Sequence, residues 1–364
     1  MTRKEYVMEN GLSLYPGLGL PFEQSAAVIA QAAASGLRRL FLSLPDYDCE
    51  LGDIKAELSL ILKTAREHDL DVIANLTQRS LTRLNLDELS PTHFRMWGIK
   101  ALRFAEDFSP ADIASFSRNR QGIRAVLNAS TVTAKLIAAL VELKANFAQI
   151  DALHSFYPRP GTGLSEDFLV GKTMLLHKAG IRVGAFAAGQ DKSYGFFQAG
   201  HPTLENHREE SLSLACRHLI ALGIDGIFLG DMPPTEAEMQ LAGQLSDRSV
   251  TLQAKWLTRD PRERAHLQHV FTARQDAAQM AIRAQEGSLL LQEHIAPANT
   301  QYRPIGAITI DNEKNLPCMG EVQICRLPQE ASPGVNVAAQ IDEAELNLIE
   351  YISPGRKFSF QFHE

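Results

Sequence analysis

Residues 147–165, FAQIDALHSFYPRPGTGLS, decide how the rest of the chain is read. An apolar run carrying His154 gives way to a turn built from Pro158, Pro160, Gly161 and Gly163. Proline fixes φ and lacks an amide donor, and glycine admits positive φ, so neither strand nor helix continues through this segment. The run reads as a strand emptying into a shaped loop, which gathers His154, Tyr157, Arg159, Thr162 and Ser165 at one strand end.

The same pattern recurs on both sides. Strand-like runs stand at 11–16 (GLSLYP), 37–45 (LRRLFLSLP), 70–77 (LDVIANLT) and 99–107 (IKALRFAED), then at 122–130 (GIRAVLNAS), 147–158, 181–189 (IRVGAFAAG) and 225–231 (DGIFLGD). Amphipathic segments lie between them, such as PFEQSAAVIAQAAASG, closed by Gly36, and IKAELSLILKTAREHD. Alternating strand and helix predicts parallel strands with helical crossovers, and eight strands is the number that closes a (β/α)8 barrel. A doubly wound sheet shares the alternation but carries a Gly-rich phosphate turn after its first strand, and GLSLYPGLGLP lacks the GxGxxG register.

In such a barrel the chemistry sits on the loops that follow the carboxyl ends of the strands. Those ends carry Tyr15, Ser43, Asp46, Asn75, Arg103, Glu106, Asp107, Asn128, Ser130, His154, Tyr157, Gln190 and Asp231, a polar rim on an apolar barrel. The longest loop is expected after the seventh strand, in GQDKSYGFFQAGHPTLENHREES, and loops of that length are often lids or binding loops. Its His201, Glu205 and His207 are not read as metal ligands, because Pro202 and the position before a helix do not put two imidazoles on one helical face.

From about residue 250 the texture changes to short alternating runs: VTLQAKWL, HVFTAR, SLLLQEHI, AITIDN, GEVQICRL, VNVAAQI and KFSFQF, with one short helix, DEAELNLIEYI. This predicts a small, mostly β domain, so the chain is divided into a barrel domain over 1–245 and a β domain over 246–364. A length of 364 residues suits two domains.

Composition narrows the partners. With 45% hydrophobic and 22% charged residues the chain is an ordinary globular one, and a net charge of -7 offers no long-range attraction to nucleic acid or anionic lipid. No run has the length and apolarity of a membrane span, and the N-terminal residues lack the apolar core of a signal peptide. Cys49, Cys216, Cys318 and Cys325 show no ligand or CxxC spacing and are expected to be free thiols, which fits a reducing, cytoplasmic setting. No metal or other cofactor is expected.

The segments LFLSLP, LNAST, HSFYPRPGTGLS, GHPTLENHR, IFLGD, AITIDN and GEVQI together resemble the 6-phospho-N-acetylmuramidase (MupG) family over nearly the whole chain. The resemblance implies a TIM barrel followed by a cyclophilin-like β domain. It also implies a cytoplasmic glycosidase of cell-wall recycling, acting on N-acetylmuramic acid 6-phosphate linked to N-acetylglucosamine. Two strand ends depart from the family pattern: Asn75 stands where an aspartate is usual, and Leu102-Arg103-Phe104-Ala105-Glu106-Asp107 replaces LRxDxG.

Glycoside hydrolysis normally uses one carboxylic acid and one carboxylate, and asparagine and alanine serve as neither. Asp231, Glu205 and Asp107 are therefore the expected catalytic residues, with Asp231 first; its alternative role is to cap the helix after Pro233 and Pro234, and that of Glu205 is to pair with Arg208 at a helix start. Asp107 is preferred to Glu106 because alternate strand residues share a face, which pairs it with position 105. The phosphate is expected to meet Arg103, Arg159, Arg208 and the amides near Gly161 and Gly163. Tyr157 is expected to stack on a sugar and Asn128 to fix a hydroxyl or acetamido group, while His154 orients a neighbour. Tyr15, Ser43 and Asn75 complete the expected substrate-binding rim. Other readings are a non-catalytic sugar-phosphate binding protein on the same scaffold, and a phosphosugar lyase or isomerase.

Overall fold

The computed structural model describes residues 8–17, 20–43, 51–84, 86, 89–192, 197–245, 247–290 and 294–364. The chain divides into two compact units, one of residues 1–219 and 223–247, the other of residues 220–222 and 248–364.

In the first unit, β1 (Gly11–Leu14), β2 (Arg39–Ser43), β3 (Asp71–Leu76), β4 (Ile99–Phe104), β5 (Arg124–Asn128), β6 (Ile150–Leu153), β7 (Arg182–Ala187) and β8 (Gly226–Leu229) form a closed barrel in sequence order. All neighbours are parallel, and β8 returns to β1. The connections hold α1 (Phe22–Ala34), α2 (Leu51–Glu67), α3 (Gln78–Arg83), α4 (Pro91–Met96), α5 (Pro110–Ser117), α6 (Ala134–Glu142), α7 (Glu166–Lys178), α8 (Leu212–Ala221) and α9 (Glu236–Gln244). Each of the eight expected runs contains one of these strands, so the predicted barrel is the observed one.

The two-residue period of a strand explains the layering inside the barrel. Phe41, Ile73, Ala101, Val126, Leu153, Phe186 and Phe228 form one buried apolar cluster, with Phe156 packed against it. Two residues before members of this layer come Arg39, Arg124 and Asp151, which belong to an ion cluster at the amino ends. Two residues after come Ser43, Asn75, Arg103, Asn128 and Ser155, at the carboxyl ends. An apolar plug therefore separates an ionic floor from a polar mouth.

The second unit is one mixed seven-stranded sheet built from β9 (Val250–Trp256), β10 (Phe271–Thr272), β11 (Ala281–Arg283), β12 (Ala307–Asp311), β13 (Val322–Cys325), β14 (Val335–Ile341) and β15 (Lys357–His363). Its order is β10-β15-β9-β14-β12-β13-β11, with only β9 and β15 parallel among the pairs. Two details differ from expectation. SLLLQEHI is not a strand where it is described: residues 287–289 form a 3-10 turn and Leu289 is 80% exposed, so the run buries too little to join the sheet. The edge strand comes instead from Ala281–Arg283, paired with β13. A further short helix, α10 (Pro261–His266), starts at Asp260, whose side chain accepts the Arg262 amide, with Pro261 in its first turn. Cys216, Cys318 and Cys325 are free thiols, and Cys49 lies outside the described residues.

Candidate active site

Arg103, near the carboxyl end of β4, reaches the ends of β3 and β6. It is 8% exposed, and its Nη1 donates to Asn75 Oδ1 at 2.9 Å while Nη2 donates to Ser155 Oγ at 2.9 Å. The Leu153 carbonyl accepts a longer bond from Nε, at 3.5 Å. Among the described residues no carboxylate lies within ion-pair distance of this guanidinium. Burial lowers its pKa to about 10, against the opposing pull of Glu106 and Tyr157, so it stays charged at neutral pH. Ser155 Oγ donates in turn to Asn128 Oδ1 at 3.2 Å, which joins the ends of β3, β4, β5 and β6 in one network.

Glu106 reaches this network. β4 ends at Phe104 and the chain turns at once, so strand alternation no longer governs positions 105–107. The Glu106 carboxylate accepts from Asn128 Nδ2 at 2.5 Å and Thr131 Oγ1 at 3.1 Å. Burial pushes its pKa up, but its own backbone amide, Asn128, Thr131 and the charge of Arg103 together hold it below the ordinary value. Asp107 turns the other way and accepts the Gln78 amide at 2.7 Å, at the start of α3. The preference for Asp107 over Glu106 is thus corrected, because the strand stops one residue too early for the alternation to hold.

Across the mouth, Asp231 follows β8 and is 3% exposed. Its Oδ1 meets His201 Nδ1 at 2.5 Å, and Oδ2 accepts the amides of Gly189 and His201 at 2.9 and 3.1 Å. Asp231 therefore fixes the imidazole and the loop that bears it. The helix cap considered for it is supplied by Thr235, which shares a reciprocal capping box with Glu238 at the start of α9. The His201 ring lies against Phe156 at 5.2 Å and Tyr15 at 5.9 Å between centroids, and Tyr15 donates its hydroxyl to the Gly230 carbonyl at 3.0 Å. Gly230 has no room for a side chain, since a Cβ would sit 2.5 Å from the His201 carbonyl oxygen.

The two loops after β6 and β7 interlock. Tyr157 donates its amide to Pro202, Leu164 to Thr203, and Glu205 to Leu164, a short parallel pairing. Glu205 then ties the Pro/Gly turn: its two oxygens accept the amides of Gly161 and Gly163 at 2.8 and 2.7 Å and a forked pair from Arg208 at 2.8 Å each. A Cβ on Gly163 would lie 2.6 Å from the Glu205 amide nitrogen, so only glycine permits this approach. Arg208, then the two amides, hold the Glu205 pKa down to about 2. Arg208 is 5% exposed and also donates to the carbonyls of Ala199 and Tyr157.

These bonds change the expected roles. Glu205 is a clamp, ionised at neutral pH, rather than a proton donor, and Arg208 with the Gly161 and Gly163 amides is spent on it rather than open to phosphate. Arg159 is exposed on the same turn. His154 is fully buried behind the mouth, between Ser130 Oγ at 3.2 Å and Thr173 Oγ1 at 3.4 Å. Burial first, then Arg103 and Lys172, lower its pKa to about 3, so it is neutral; Ser130 beside it accepts the Ser155 amide. Ser43 and Tyr157 are half-buried at the rim, and Asp46 lies outside the described residues. Among the described residues no three His, Cys, Asp or Glu side chains converge as a metal site, and His207 pairs with His218 at 2.9 Å.

Ser155, Phe156, Thr131, Thr203 and His201 were not singled out as site residues from the sequence. Ser155 and Phe156 had a signal in the HSFYP motif itself, and His201 in its position after a glycine in the long loop. Thr203, whose hydroxyl donates to the Ser155 carbonyl and accepts the Phe186 amide, lies in the GHPTLENHR motif, but its role exists only once the loops meet.

The fold and site are those of an eight-stranded parallel barrel whose mouth holds a buried guanidinium bonded to amide, hydroxyl and carbonyl oxygens, and a His–Asp pair. The chain belongs to the 6-phospho-N-acetylmuramidase family: its N-terminal domain matches over residues 10–244 and its C-terminal domain over residues 250–361. It is similar to the crystal structure of an uncharacterized B. cereus protein, with 25% identity and a TM-score of 0.82 over 98% of this chain and 100% of that one. A conserved Enterococcus faecalis protein of unknown function shares 26% identity, with a TM-score of 0.64 over 99% and 97% of the two chains. No curated protein matches the chain. No helix among the described residues is long and apolar enough to cross a membrane.

Proposed function

We propose that this chain is a glycosidase that cleaves N-acetylmuramic acid 6-phosphate from N-acetylglucosamine, in the cytoplasm, as a step in cell-wall recycling. The observation that carries the reading is Arg103, a buried cation bonded only to neutral oxygens among the described residues, with Glu106 acting on it from beyond ion-pair distance. An isolated buried charge costs several kcal/mol unless something pairs with it, and an anionic group on the substrate would supply that partner. Arginine suits the task because its planar fork of N–H groups matches phosphate and carboxylate oxygens. The name of the family supports the choice of sugar.

In this reading Asn75 and Ser155 hold the guanidinium flat to the mouth, Asn128 reads a sugar hydroxyl or acetamido group, and Tyr15, Phe156 and Tyr157 face the sugar rings. Ser43 and Arg159 lie on the approach. Asp231 keeps His201 oriented, and the pair supplies the proton that the leaving oxygen needs. The second reading, a sugar-phosphate binding protein without turnover, draws support from the internal bonds that occupy Asp107, Glu205 and Asp231. Incubation with the phosphorylated disaccharide, followed by mass spectrometry, separates the two. Release of N-acetylglucosamine is the expected result. Binding without release would replace the glycosidase by the binding protein, and neither binding nor release would remove both.

A further inference from the structure

We propose that Glu106 is the catalytic base of the hydrolysis, taking a proton from the water that attacks the anomeric carbon. The inference rests on the glycosidase reading above. It starts from a comparison of Glu106 with four other carboxylates near the carboxyl ends of the strands. Asp107 is spent on the amide of Gln78, Glu205 on two amides and Arg208, Asp231 on two amides and the His201 ring, and Glu238 on Thr235 and the Gln190 amide. Glu106 differs from all of them. Its Oε1 is aimed by two side chains, Asn128 and Thr131, no other residue among those described donates to its Oε2, and it is exposed.

Fixing one oxygen of a carboxylate through an amide and a hydroxyl while leaving the other open is an arrangement suited to proton transfer, since the group is oriented without being consumed. Its depressed pKa adds that the group is ionised at neutral pH and so accepts a proton rather than giving one. Topology supplies the counterpart. Glu106 follows β4 and leans on the end of β5, whereas His201 is held by Asp231 at the end of β8 and lies against Tyr15 at the end of β1. In the closed order β1 to β8, these two pairs of strands face each other across the ring. A glycosidic bond between them has the base on one side and the donor on the other, the arrangement of a single displacement by water.

The step then balances. The water oxygen bonds to the anomeric carbon as its proton passes to Glu106 Oε2. The glycosidic C–O bond breaks, and the leaving oxygen keeps the bonding pair and takes a proton from the His201 imidazolium. Solvent afterwards removes the proton from Glu106 and restores the one on His201. The product forms with inverted configuration at the anomeric carbon.

The test compares the full-length parent with Glu106→Gln, which keeps the size and an acceptor for Asn128 but cannot take the proton. With the phosphorylated disaccharide, kcat should fall about 10³-fold while KM stays near that of the parent, the scale of a lost general base. Azide should restore turnover to Glu106→Ala by replacing the activated water, giving a glycosyl azide. Asn128→Ala, which removes a group that holds the Glu106 pKa down, should move the acidic limb of the kcat profile to higher pH. A parent that inverts, with these three results, supports the proposal. Turnover of Glu106→Gln within about tenfold of the parent, or retained configuration in the first-formed product, overturns it while the glycosidase reading stands. A parent that releases no sugar overturns both.

Discussion

The two ends of the barrel use the same side chain in opposite ways. At the amino ends, Asp151 receives Arg124 at 2.5 Å and Arg182 at 3.2 Å, with Arg39 at 3.7 Å, while Glu9 pairs with Arg39 and Arg182. Burial raises the Asp151 pKa, and the three guanidinium groups outweigh it, so the carboxylate is held ionised. Every arginine there has a carboxylate. At the carboxyl ends Arg103 is more deeply buried than any of the three and donates only to neutral acceptors. A charge neutralised within the fold contributes to stability, whereas one left open is stabilised by what binds to it; in α/β barrels the first belongs to the amino-terminal face and the second to the carboxyl-terminal face.

Substitutions at the two ends should therefore separate stability from binding. Asp151→Asn strips the floor of its shared anion and leaves guanidinium groups facing one another, and it should cost about 3–5 kcal/mol in urea unfolding with KM unchanged. Arg103→Met should do the reverse. Affinity for the phosphorylated disaccharide should fall by about 10²-fold or more, as for a truncated partner of a buried charge pair. The unliganded protein should unfold at an equal or higher temperature, because an uncompensated charge has been taken out of the interior. A destabilised Arg103→Met with unchanged KM would erase the distinction between the ends.

That distinction was only half legible in the sequence. The eight strands were readable because parallel strands buried on both faces are nearly continuous apolar runs, and the polar residues after them marked the mouth. The floor was not, because Arg39, Arg124 and Arg182 open their strands and look like solvated ends until closure of the barrel gathers them around Asp151. At the mouth, Arg103 and Asn128 could be picked out by position. The pairing of Glu205 with Arg208 was open to a reading from their spacing, but their bonds to Gly161, Gly163 and Tyr157 were not, since those partners lie on another loop that meets theirs only in the folded state. Glu106 was displaced by a single residue of strand length, and a shift of one residue reverses the face on which a side chain falls. In the second unit β11 escaped because three residues carry too little pattern to read.

Acid sharpens the comparison from another side. His154, behind Arg103, and His207, in the loop clamped by Glu205, each have a pKa lowered to about 3, in both cases first by burial. Their unfolded value is near ~6.5, so between that pH and about 3 the unfolded chain binds protons that the native state refuses. Stability is thus full above the unfolded value and declines as pH falls through the window, by up to about 1.4 kcal/mol per pH unit for each histidine. The Asp151 cluster, whose carboxylate is depressed below its unfolded value near ~3.9, weakens only at lower pH. Urea titrations at roughly pH 7, above the histidine window, and at roughly pH 6 and 5, inside it, should show the midpoint falling, most between the last two. His154→Asn should reduce the slope, whereas Asp151→Asn should leave it in place. A midpoint that is flat across this range would mean that the histidines take up protons in the native state.

The smallest effect is expected from the change that imports the logic of the floor into the mouth. Asn75→Asp places a carboxylate at the atom that now accepts from Arg103 Nη1 at 2.9 Å. The guanidinium then has a partner within the fold, and a charge of the ligand's own sign stands beside the site. At an effective dielectric of ~20 the two contacts oppose each other in part, and roughly tenfold weaker binding of the phosphorylated disaccharide is the expected outcome, with a modest gain in melting temperature. The loss should be greatest for the doubly ionised phosphate and should shrink as pH falls below its second ionisation, near ~6. Binding of the unphosphorylated disaccharide should change little if Arg103 meets the phosphate; if it falls as far as that of the phosphorylated one, the group at Arg103 is an anion the two ligands share, the carboxylate of the muramic acid.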